Sequence, residues 1–138
     1  MEQLKELYVS RFGAEPDSIE KLAGAGSNRQ YYRLYAKDGS SVIGVIGTSR
    51  DEDHAFLTIA AHFEKRQLPV PRVIAASQDE LRYLQQDLGD TQLFSLLEDA
   101  RHPDGFEGSV MTLLEKTVAA LPDIQFKGAD GMDFSRCF

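Results

Sequence analysis

Apolar residues at helical spacing open the chain. Leu4, Leu7 and Tyr8 fall on one side of a helix, and Gly13 stands where a glycine commonly ends one. This pattern predicts a short amphipathic helix over residues 2–12.

Three short strands are predicted next, joined by two turns. The second strand runs from about Tyr31 to Tyr35 and the third over residues 41–47, and both are rich in aromatic or β-branched side chains. The turn between them has Asp38-Gly39 at its centre, a pair that favours a hairpin. The first strand falls within residues 16–22, and a turn with two glycines connects it to the second.

A longer amphipathic helix is predicted to begin near Ser49. Ser49 and Glu52 have the spacing of a capping box, and the acidic first turn suits the helix dipole. Pro69 and Pro71 end the helix and favour an extended connection after it. Its buried face is predicted to consist of Phe56, Ile59, Ala60 and Phe63.

Two further strands are predicted after this helix, over residues 72–76 and residues 81–87. Residues 77–80 form the polar turn between them. The pattern is broken at Leu88-Gly89-Asp90, which is interpreted as a short linker.

The last third of the chain is predicted to be mainly helical. Asp90 can cap a helix over residues 91–99, residues 102–105 form a loop, and a second helix spans residues 106–121. The helical pattern weakens over residues 123–138. Apolar side chains continue there, which a disordered tail would lack, so this segment is expected to pack against a surface. The residues expected to face inward from the first helix are Leu93, Phe94 and Leu97. The second helix is predicted to have one apolar face, which consists of Val110, Leu113, Leu114, Val118 and Leu121.

Composition narrows the class of protein. The 138 residues are 42% hydrophobic and 27% charged, as in an ordinary globular domain. The net charge of −7 disfavours a nucleic-acid partner, which needs a basic face. No apolar run reaches the length of a membrane span, and the N-terminus lacks the apolar core of a signal peptide. Cys137 is the single cysteine, so no internal disulfide or cysteine zinc site is possible. Together these features predict a cytoplasmic protein without a membrane partner.

The turn between the first two strands carries the candidate chemistry. Gly24 and Gly26 let the backbone come close to a ligand, and successive N–H groups in such a turn can hold phosphate oxygens. The chain has no Walker A motif, and a Rossmann fingerprint would need a glycine where Arg29 stands. A glycine turn between two strands, lying over a nucleotide, is the arrangement of kinase N-terminal lobes. An ordinary hairpin turn is the alternative explanation.

Four segments of the chain follow one another in a recognisable order. They are Gly26-Ser27-Asn28-Arg29-Gln30-Tyr31-Tyr32-Arg33-Leu34, Ser41-Val42-Ile43, Leu68-Pro69-Val70-Pro71 with Val73 and Ala75, and Leu84-Gln85-Gln86-Asp87-Leu88-Gly89-Asp90 with Leu93. In this order they resemble the aminoglycoside phosphotransferase and choline kinase superfamily. Within it, the sequence is most similar to bacterial sugar kinases that phosphorylate N-acetylmuramate or N-acetylglucosamine. The resemblance covers most of this chain but only the first part of a family member.

This resemblance implies a binding site for ATP. The glycine turn would lie over the nucleotide phosphates, and Gln86-Asp87-Leu88 would form a hinge whose backbone meets the adenine. The nucleotide-binding residues that it implies are Gly24, Gly26, Ser27, Asn28, Arg29, Arg33, Gln86, Asp87 and Leu88.

The chain departs from the kinase pattern at the third strand. Kinases place a lysine there, which holds the α- and β-phosphates and pairs with a helix glutamate. Residues 41–47 contain no lysine, and Gly44 or Val45 occupies that slot. Arg33 could take the lysine's role, with a solvated arginine as the alternative, and Glu52 is explained more simply as a helix cap. The nearby cations are Arg29, Arg33, Lys37 and Arg50.

A second departure concerns catalysis. Phosphoryl transfer needs an aspartate for the acceptor hydroxyl, with an asparagine and an aspartate for magnesium. His102-Pro103-Asp104 and Asp133-Phe134-Ser135 resemble parts of these motifs without their context, and are interpreted as a turn and a terminal segment. Asn28 is the only asparagine. The magnesium ligands and the catalytic loop are therefore expected in a C-terminal lobe beyond this chain.

The three histidines, His54, His62 and His102, are not grouped as metal ligands. His54 and His62 are eight residues apart on one helix rather than the four of a helical zinc pair. Both are predicted to be solvated.

The sequence therefore predicts an α+β fold. It would be a protein-kinase-like N-lobe, with an antiparallel sheet of about five strands and one packed helix, followed by a hinge and helices. The N-lobe would occupy residues 1–88, and residues 89–138 would hold the hinge and the first helices of a truncated C-lobe. The predicted function is the ATP-binding part of a small-molecule phosphotransferase, which transfers the γ-phosphate to a sugar or amino-alcohol hydroxyl. The 138 residues alone are expected to be inactive.

Two other functions are compatible with the sequence. The chain could be a stand-alone, non-catalytic, kinase-like binding or regulatory module, which the absent lysine favours. It could also be an unrelated α+β domain that binds proteins through its sheet, which helices packed on both sheet faces would support. A homodimer that forms through the exposed face of the lobe is a further prediction.

Overall fold

The fold is taken from a computed structural model, which describes residues 1–24, 26, 28–102, 105, 106 and 108–137. The chain divides into two compact units. The first comprises Met1–Asp87 together with Met132–Phe138, and the second comprises Leu88–Gly131. Within the described ranges, no helix combines the length and the apolar composition needed to cross a membrane.

A five-stranded antiparallel sheet forms the centre of the first unit. Its strand order is β1-β2-β3-β5-β4, so each of the first three strands pairs with the next along the chain. The α+β fold and the antiparallel sheet of about five strands are thereby confirmed. The strands are β1 (Ser18–Lys21), β2 (Gln30–Tyr35), β3 (Ser41–Ile46), β4 (Val73–Ala76) and β5 (Arg82–Gln86).

Two helices belong to this unit, α1 (Glu2–Phe12) and α2 (Arg50–Lys65), and local signals in the sequence set their ends. Gly13 ends α1 in the left-handed conformation, at φ 74°, and donates its N–H to Val9. Ser49 caps α2 by accepting the N–H of Glu52 through its side chain. Both predicted helices are confirmed.

The turn between β2 and β3 is the predicted Asp-Gly hairpin. Gly39 has φ 83°, a conformation that favours glycine, and Ala36 accepts its N–H. The Asp38 carboxylate accepts both the hydroxyl of Ser40, at 2.6 Å, and its N–H, at 2.9 Å. These two bonds lower the pKa of Asp38, because they stabilise its charged form.

Helices cover both faces of the sheet. On one face, Leu4 and Tyr8 of α1 pack with Tyr32, Leu34 and Leu84. On the other, Phe56 and Leu57 of α2 pack against Ile43, Val45 and Tyr83. The expectation of one packed helix was wrong, because an amphipathic pattern such as that of α1 does not reveal which surface its apolar side will cover.

Close packing on the α1 face leaves room only for glycine at position 44. A Cβ on Gly44 would lie 2.6 Å from Leu34 Cδ1 and 2.9 Å from Leu4 Cδ2. Because both leucines are fully buried, we expect Gly44→Ala to reduce the free energy of unfolding by about 1–3 kcal/mol through overpacking. Urea unfolding measures this change. The matched control is Gly108→Ala, where no atom lies within 4 Å of the added carbon and almost no change is expected. Equal stability of the two variants would contradict this prediction.

The second unit is mainly helical. It contains α3 (Leu93–Asp99), the two-residue strands β6 (Arg101–His102) and β7 (Gly105–Phe106), and α4 (Gly108–Pro122), which continues into a π-helical segment over Asp123–Lys127. The π segment follows Pro122, which has no N–H to donate to the preceding turn.

Three predictions for the second unit were wrong. The N-cap of α3 is Gln92 rather than Asp90, and it makes no side-chain capping bond. His102 and Gly105, both expected in a loop, pair with each other in a small antiparallel hairpin, and Arg101 pairs with Phe106. Residues 103 and 104 of the expected loop lie outside the described residues.

The third error concerns burial in this unit. Phe94 is 66% exposed, and much of the apolar side of α4 is also exposed. Within this unit, as far as the structure describes it, α4 packs against the seven-residue α3, which is too short to cover a helix of fifteen residues. Phe94 was expected to face inward. The exposed residues of the predicted apolar face of α4 are Leu113, Val118 and Leu121.

Candidate functional site

The glycine turn joins two paired strands. Leu22 donates its N–H to Tyr31, at 2.9 Å, so the β1–β2 pairing extends to the base of the turn. Gly24 and Gly26 are exposed, and no atom lies within 4 Å of the positions their Cβ atoms would take. Asn28 is also exposed, and Ser27 lies outside the described residues. The turn is therefore open along the described part of its backbone.

Arg29, at the end of the turn, is bonded to helix α2. Its Nε donates to Asp53 Oδ1 at 2.7 Å, and its Nη2 donates to the carbonyl oxygen of Glu52 at 3.1 Å. The side chain of Arg29 is 19% exposed. These bonds attach the glycine turn to the first turn of the helix.

Asp53 is the buried partner in this pair. It is 0% exposed, although it lies in the first turn of α2. Gly47 creates the space for it, because a Cβ at that position would overlap the Asp53 carboxylate. Within the described part of the chain, Asp53 Oδ2 has no hydrogen-bond partner. A buried carboxylate is costly without a counter-charge, so the Arg29 bond is what makes this position tolerable.

The surroundings keep Arg29 charged. Burial is the largest single influence and pushes its pKa down, but the hydrogen bond to Asp53 and the charge interactions with nearby acidic groups together outweigh it, and the pKa lies above its usual value. The guanidinium carbon lies 5.4 Å from the centre of the Phe56 ring, a cation–π distance. Phe56 in turn stacks on Tyr83, with ring centres 5.0 Å apart. Burial raises the pKa of the Tyr83 phenol, which therefore stays neutral.

Arg33, which was considered for a role in phosphate binding, forms an ion pair with the buried carboxylate of Asp87. Its Nε and Nη2 donate to the two carboxylate oxygens of Asp87, at 2.6 and 3.2 Å. The hydroxyl of Ser41 donates to the same carboxylate at 2.7 Å. The side chains of Arg33 and Asp87 are only 9% and 8% exposed. Both residues belong to the nucleotide site predicted from the sequence, but the sequence did not reveal that they bond to each other.

The register of the sheet puts both arginines on one face. Tyr31 pairs with Val45 and Arg33 pairs with Ile43, and Val45 and Ile43 belong to the core beneath α2. Because side chains alternate along a strand, Arg33 faces the same side as Tyr31. Arg29 reaches this side as well, through its bonds to α2. The α2 face of the sheet therefore carries two buried ion pairs, one near each end of β3.

The third strand offers no cation to this face. Val45 is fully buried against Tyr83, and Gly44 faces α1 instead. Of the two residues considered for the lysine slot, Val45 is thus the one that faces α2.

The predicted hinge residues fall at the boundary of the two units. Gln86 donates its N–H to Arg72 at 2.8 Å, as the last residue of β5. Asp87 closes the first unit with the bonds described above, and Leu88, which is exposed, opens the second. Their contact with adenine stays a prediction.

Two segments resemble catalytic motifs of kinases. Their described residues belong to a capped 3-10 turn and to a hairpin. Asp133 caps a 3-10 turn over Phe134–Arg136, since its carboxylate accepts the N–H and the hydroxyl of Ser135. His102 lies in the β6–β7 hairpin, whereas Pro103 and Asp104 lie outside the described residues.

The two histidines of α2 are not simply solvated, contrary to the prediction. The Nδ1 atom of His54 lies 3.0 Å from both carboxylate oxygens of Glu80. The Nε2 atom of His62 is buried and has no partner within the described part of the chain. Glu80 comes from the β4–β5 turn, so the sequence order gave no indication of this contact.

Two of the open cavities that the structure describes on the first unit are lined by residues away from the glycine turn. One, of about 630 Å³, is lined by α1 and the β4–β5 turn, with Arg50 and Arg82 at its wall. The other, of about 430 Å³, lies between the end of α1 and the β2–β3 turn. Neither coincides with the predicted nucleotide site.

Asp53 is the main site residue that sequence analysis missed. Asp53 belongs to the acidic first turn of α2, which was attributed to the helix dipole. Glu52 was considered instead as the helix carboxylate that would pair with a phosphate-binding cation. A usable signal was present, because Asp53 precedes Phe56 by three residues and Ala60 by seven. That spacing places it on the buried face of α2.

The chain matches no protein-family model, and a search of curated proteins finds no match.

Proposed function

We propose that this chain is the nucleotide-binding part of a small-molecule phosphotransferase. The observation that carries the proposal is Arg29, at the end of a glycine turn between two strands, held by a buried carboxylate of the helix that follows the third strand. In kinases, a glycine turn and a cation paired with a helix carboxylate contact the phosphates of the nucleotide.

The site residues fit a nucleotide in two respects. The exposed glycines leave room for phosphate oxygens to approach the backbone, and Arg29 adds a charged donor beside them. Arg29 and Arg33 also lie on the same sheet face, although Asp87 neutralises Arg33. The order of the elements along the chain, with α2 between β3 and β4, supports the proposal.

The described residues do not fit magnesium. Among them, no group of three or more His, Cys, Asp or Glu could hold a metal ion. We therefore derive no step through a metal. Phosphoryl transfer from ATP breaks the bond between the γ-phosphorus and the bridging oxygen and forms one to the acceptor hydroxyl, whose proton needs a base. The base would come from a C-terminal lobe.

Calorimetric titration with ATP, ADP and adenosine tests the proposal. We expect the 138-residue protein to bind ATP and ADP with a dissociation constant between about 1 µM and 1 mM, the usual range for enzyme substrates. Adenosine should bind more weakly, because it lacks the phosphates that the turn and Arg29 would contact. An absence of heat and of competition with a fluorescent ATP analogue would contradict the proposal.

A second candidate function is protein binding by an α+β domain unrelated to kinases. The observation that favours it is the presence of helices on both sheet faces. With both faces covered, the backbone groups nearest to a partner belong to the edge strands β1 and β4. Failure to bind any nucleotide, combined with protection of β1 amides from hydrogen exchange by a protein partner, would favour this function.

A further inference from the structure

The cavity between the end of α1 and the β2–β3 turn has an aromatic wall. Its volume of about 430 Å³ is within the range of small-molecule sites. Tyr8 and Phe12 of α1 line it with two rings, whose centres lie 4.6 Å apart. Ala36 and Val42, from the facing hairpin, extend the apolar surface. Phe12 is 43% exposed, so an apolar ligand body would find a surface here that the fold itself does not cover.

The hydroxyl of Tyr8 is a polar group at this cavity that the fold does not satisfy. Tyr8 is only 4% exposed, and within the described part of the chain its hydroxyl has no hydrogen-bond partner. Burial raises the pKa of the phenol, and the charge of Asp38 raises it further, so the hydroxyl stays protonated at pH 7. A buried hydroxyl without a partner is costly, and a polar group of a ligand in the cavity would supply the missing bond.

The charges along the cavity favour a cationic ligand. Its lining includes two carboxylates, those of Glu15 and Asp38, and one ammonium group, that of Lys37. Ser40 donates two hydrogen bonds to Asp38, which hold this carboxylate in place and lower its pKa, so it is charged at pH 7. Helix α1 also ends here, at Phe12, and the C-terminal end of a helix carries the negative part of its dipole.

An aromatic ring beside carboxylates is suited to an organic ammonium ion. The face of the ring attracts a cation, and its apolar surface packs against the body of the ligand. Phe12 already makes one contact of this kind, since the guanidinium carbon of Arg11 lies 5.6 Å from the centre of its ring.

We propose that this cavity binds a small primary ammonium ion with an aromatic body. The ammonium group would donate to the Asp38 carboxylate and to the Tyr8 oxygen, and the ligand ring would pack against Phe12. The site is separate from the proposed function, because its lining contains none of the residues of the predicted nucleotide site and its ligand carries no phosphate. Nucleotide binding and ammonium binding can each fail without the other.

NMR titration of the 138-residue protein with benzylammonium, benzyl alcohol and benzoate tests this proposal, since the three probes have nearly the same shape and differ in charge. We expect benzylammonium to bind with a dissociation constant of about 1 mM, which is reasonable for a ligand of so few atoms. It should shift the amide signals of residues 8–14 and 36–42. Benzyl alcohol and benzoate should bind at least about 10-fold more weakly. Equal binding of the three probes, or shifts confined to other residues, would overturn the proposal.

Two substitutions should change the affinity for benzylammonium in opposite directions. Tyr8→Phe keeps the ring in the core and removes only the hydroxyl, and it should weaken binding about 3- to 10-fold. Lys37→Met removes an exposed like charge and should strengthen binding about 2- to 5-fold. The matched control is Tyr35→Phe, which removes a hydroxyl that donates to Glu20 at 3.1 Å and should leave the affinity unchanged. If neither Tyr8→Phe nor Lys37→Met alters the affinity, the ligand does not occupy this cavity and the proposal is wrong.

Discussion

Replacing Arg29 alone with methionine is expected to lower the free energy of unfolding by about 3–5 kcal/mol. The substitution leaves Asp53 as a buried carboxylate without its counter-charge, and Asp53 is 0% exposed. Asp53→Leu should cost less, because the Arg29 side chain that it leaves behind is 19% exposed and can turn its charge toward water. Urea unfolding followed by circular dichroism measures both values.

The double variant Arg29→Met with Asp53→Leu completes this prediction. A buried ion pair replaced by apolar residues of similar volume is often no less stable than the original, so the double variant should recover most of the loss caused by Arg29→Met. Lys65→Met should remain within about 0.5 kcal/mol of the unmodified protein, as is usual for an exposed surface residue. Additive costs of the two single substitutions would show that Arg29 and Asp53 do not interact in solution.

Local signals in the sequence were sufficient for most elements of the first unit. Ser49 and Gly13 mark helix ends, and Asp38-Gly39 marks a hairpin, through bonds that span only a few residues. These signals act within one turn of chain, and they can therefore be recognised without knowledge of the fold.

Contacts between distant residues could not be predicted in the same way. Arg29 and Asp53 are 24 positions apart, and Arg33 and Asp87 are 54 apart. The sequence identified three of these four residues as parts of a site but not their partners. Pairing of β3 with β5, and the placement of α2 over β3, bring the charges together, and both depend on the whole sheet.

In the second unit, the apolar pattern of a helix was not sufficient to predict which side chains are buried. The apolar residues of α4 recur at helical spacing, but Val118 and Leu121 are exposed. Periodicity identifies a side of a helix that can be buried, whereas burial itself requires another element of sufficient length beside it. Within the described part of this unit, α3 ends after seven residues.

The second ion pair should be as important for stability as the first. We expect Asp87→Ala to lower the free energy of unfolding by about 3–5 kcal/mol, since Arg33 lies in the sheet core with a side chain only 9% exposed. Unlike Arg29, Arg33 has little freedom to reach water from the middle of β2. Urea unfolding again gives the measurement, and the loss should affect the first unit, to which both residues belong.

Ser41→Ala is the graded control for Asp87→Ala. It removes one hydrogen bond to the Asp87 carboxylate and leaves both charges paired, so it should cost only about 1 kcal/mol. The dependence of stability on salt distinguishes a buried ion pair from a surface ion pair, because ions screen exposed charges strongly and buried charges weakly. The cost of Asp87→Ala should therefore be nearly the same in low and high salt. A cost that disappears in high salt, or that does not exceed the cost of Ser41→Ala, would show that water reaches this pair, and Arg33 would then become a second candidate for the phosphate-binding cation.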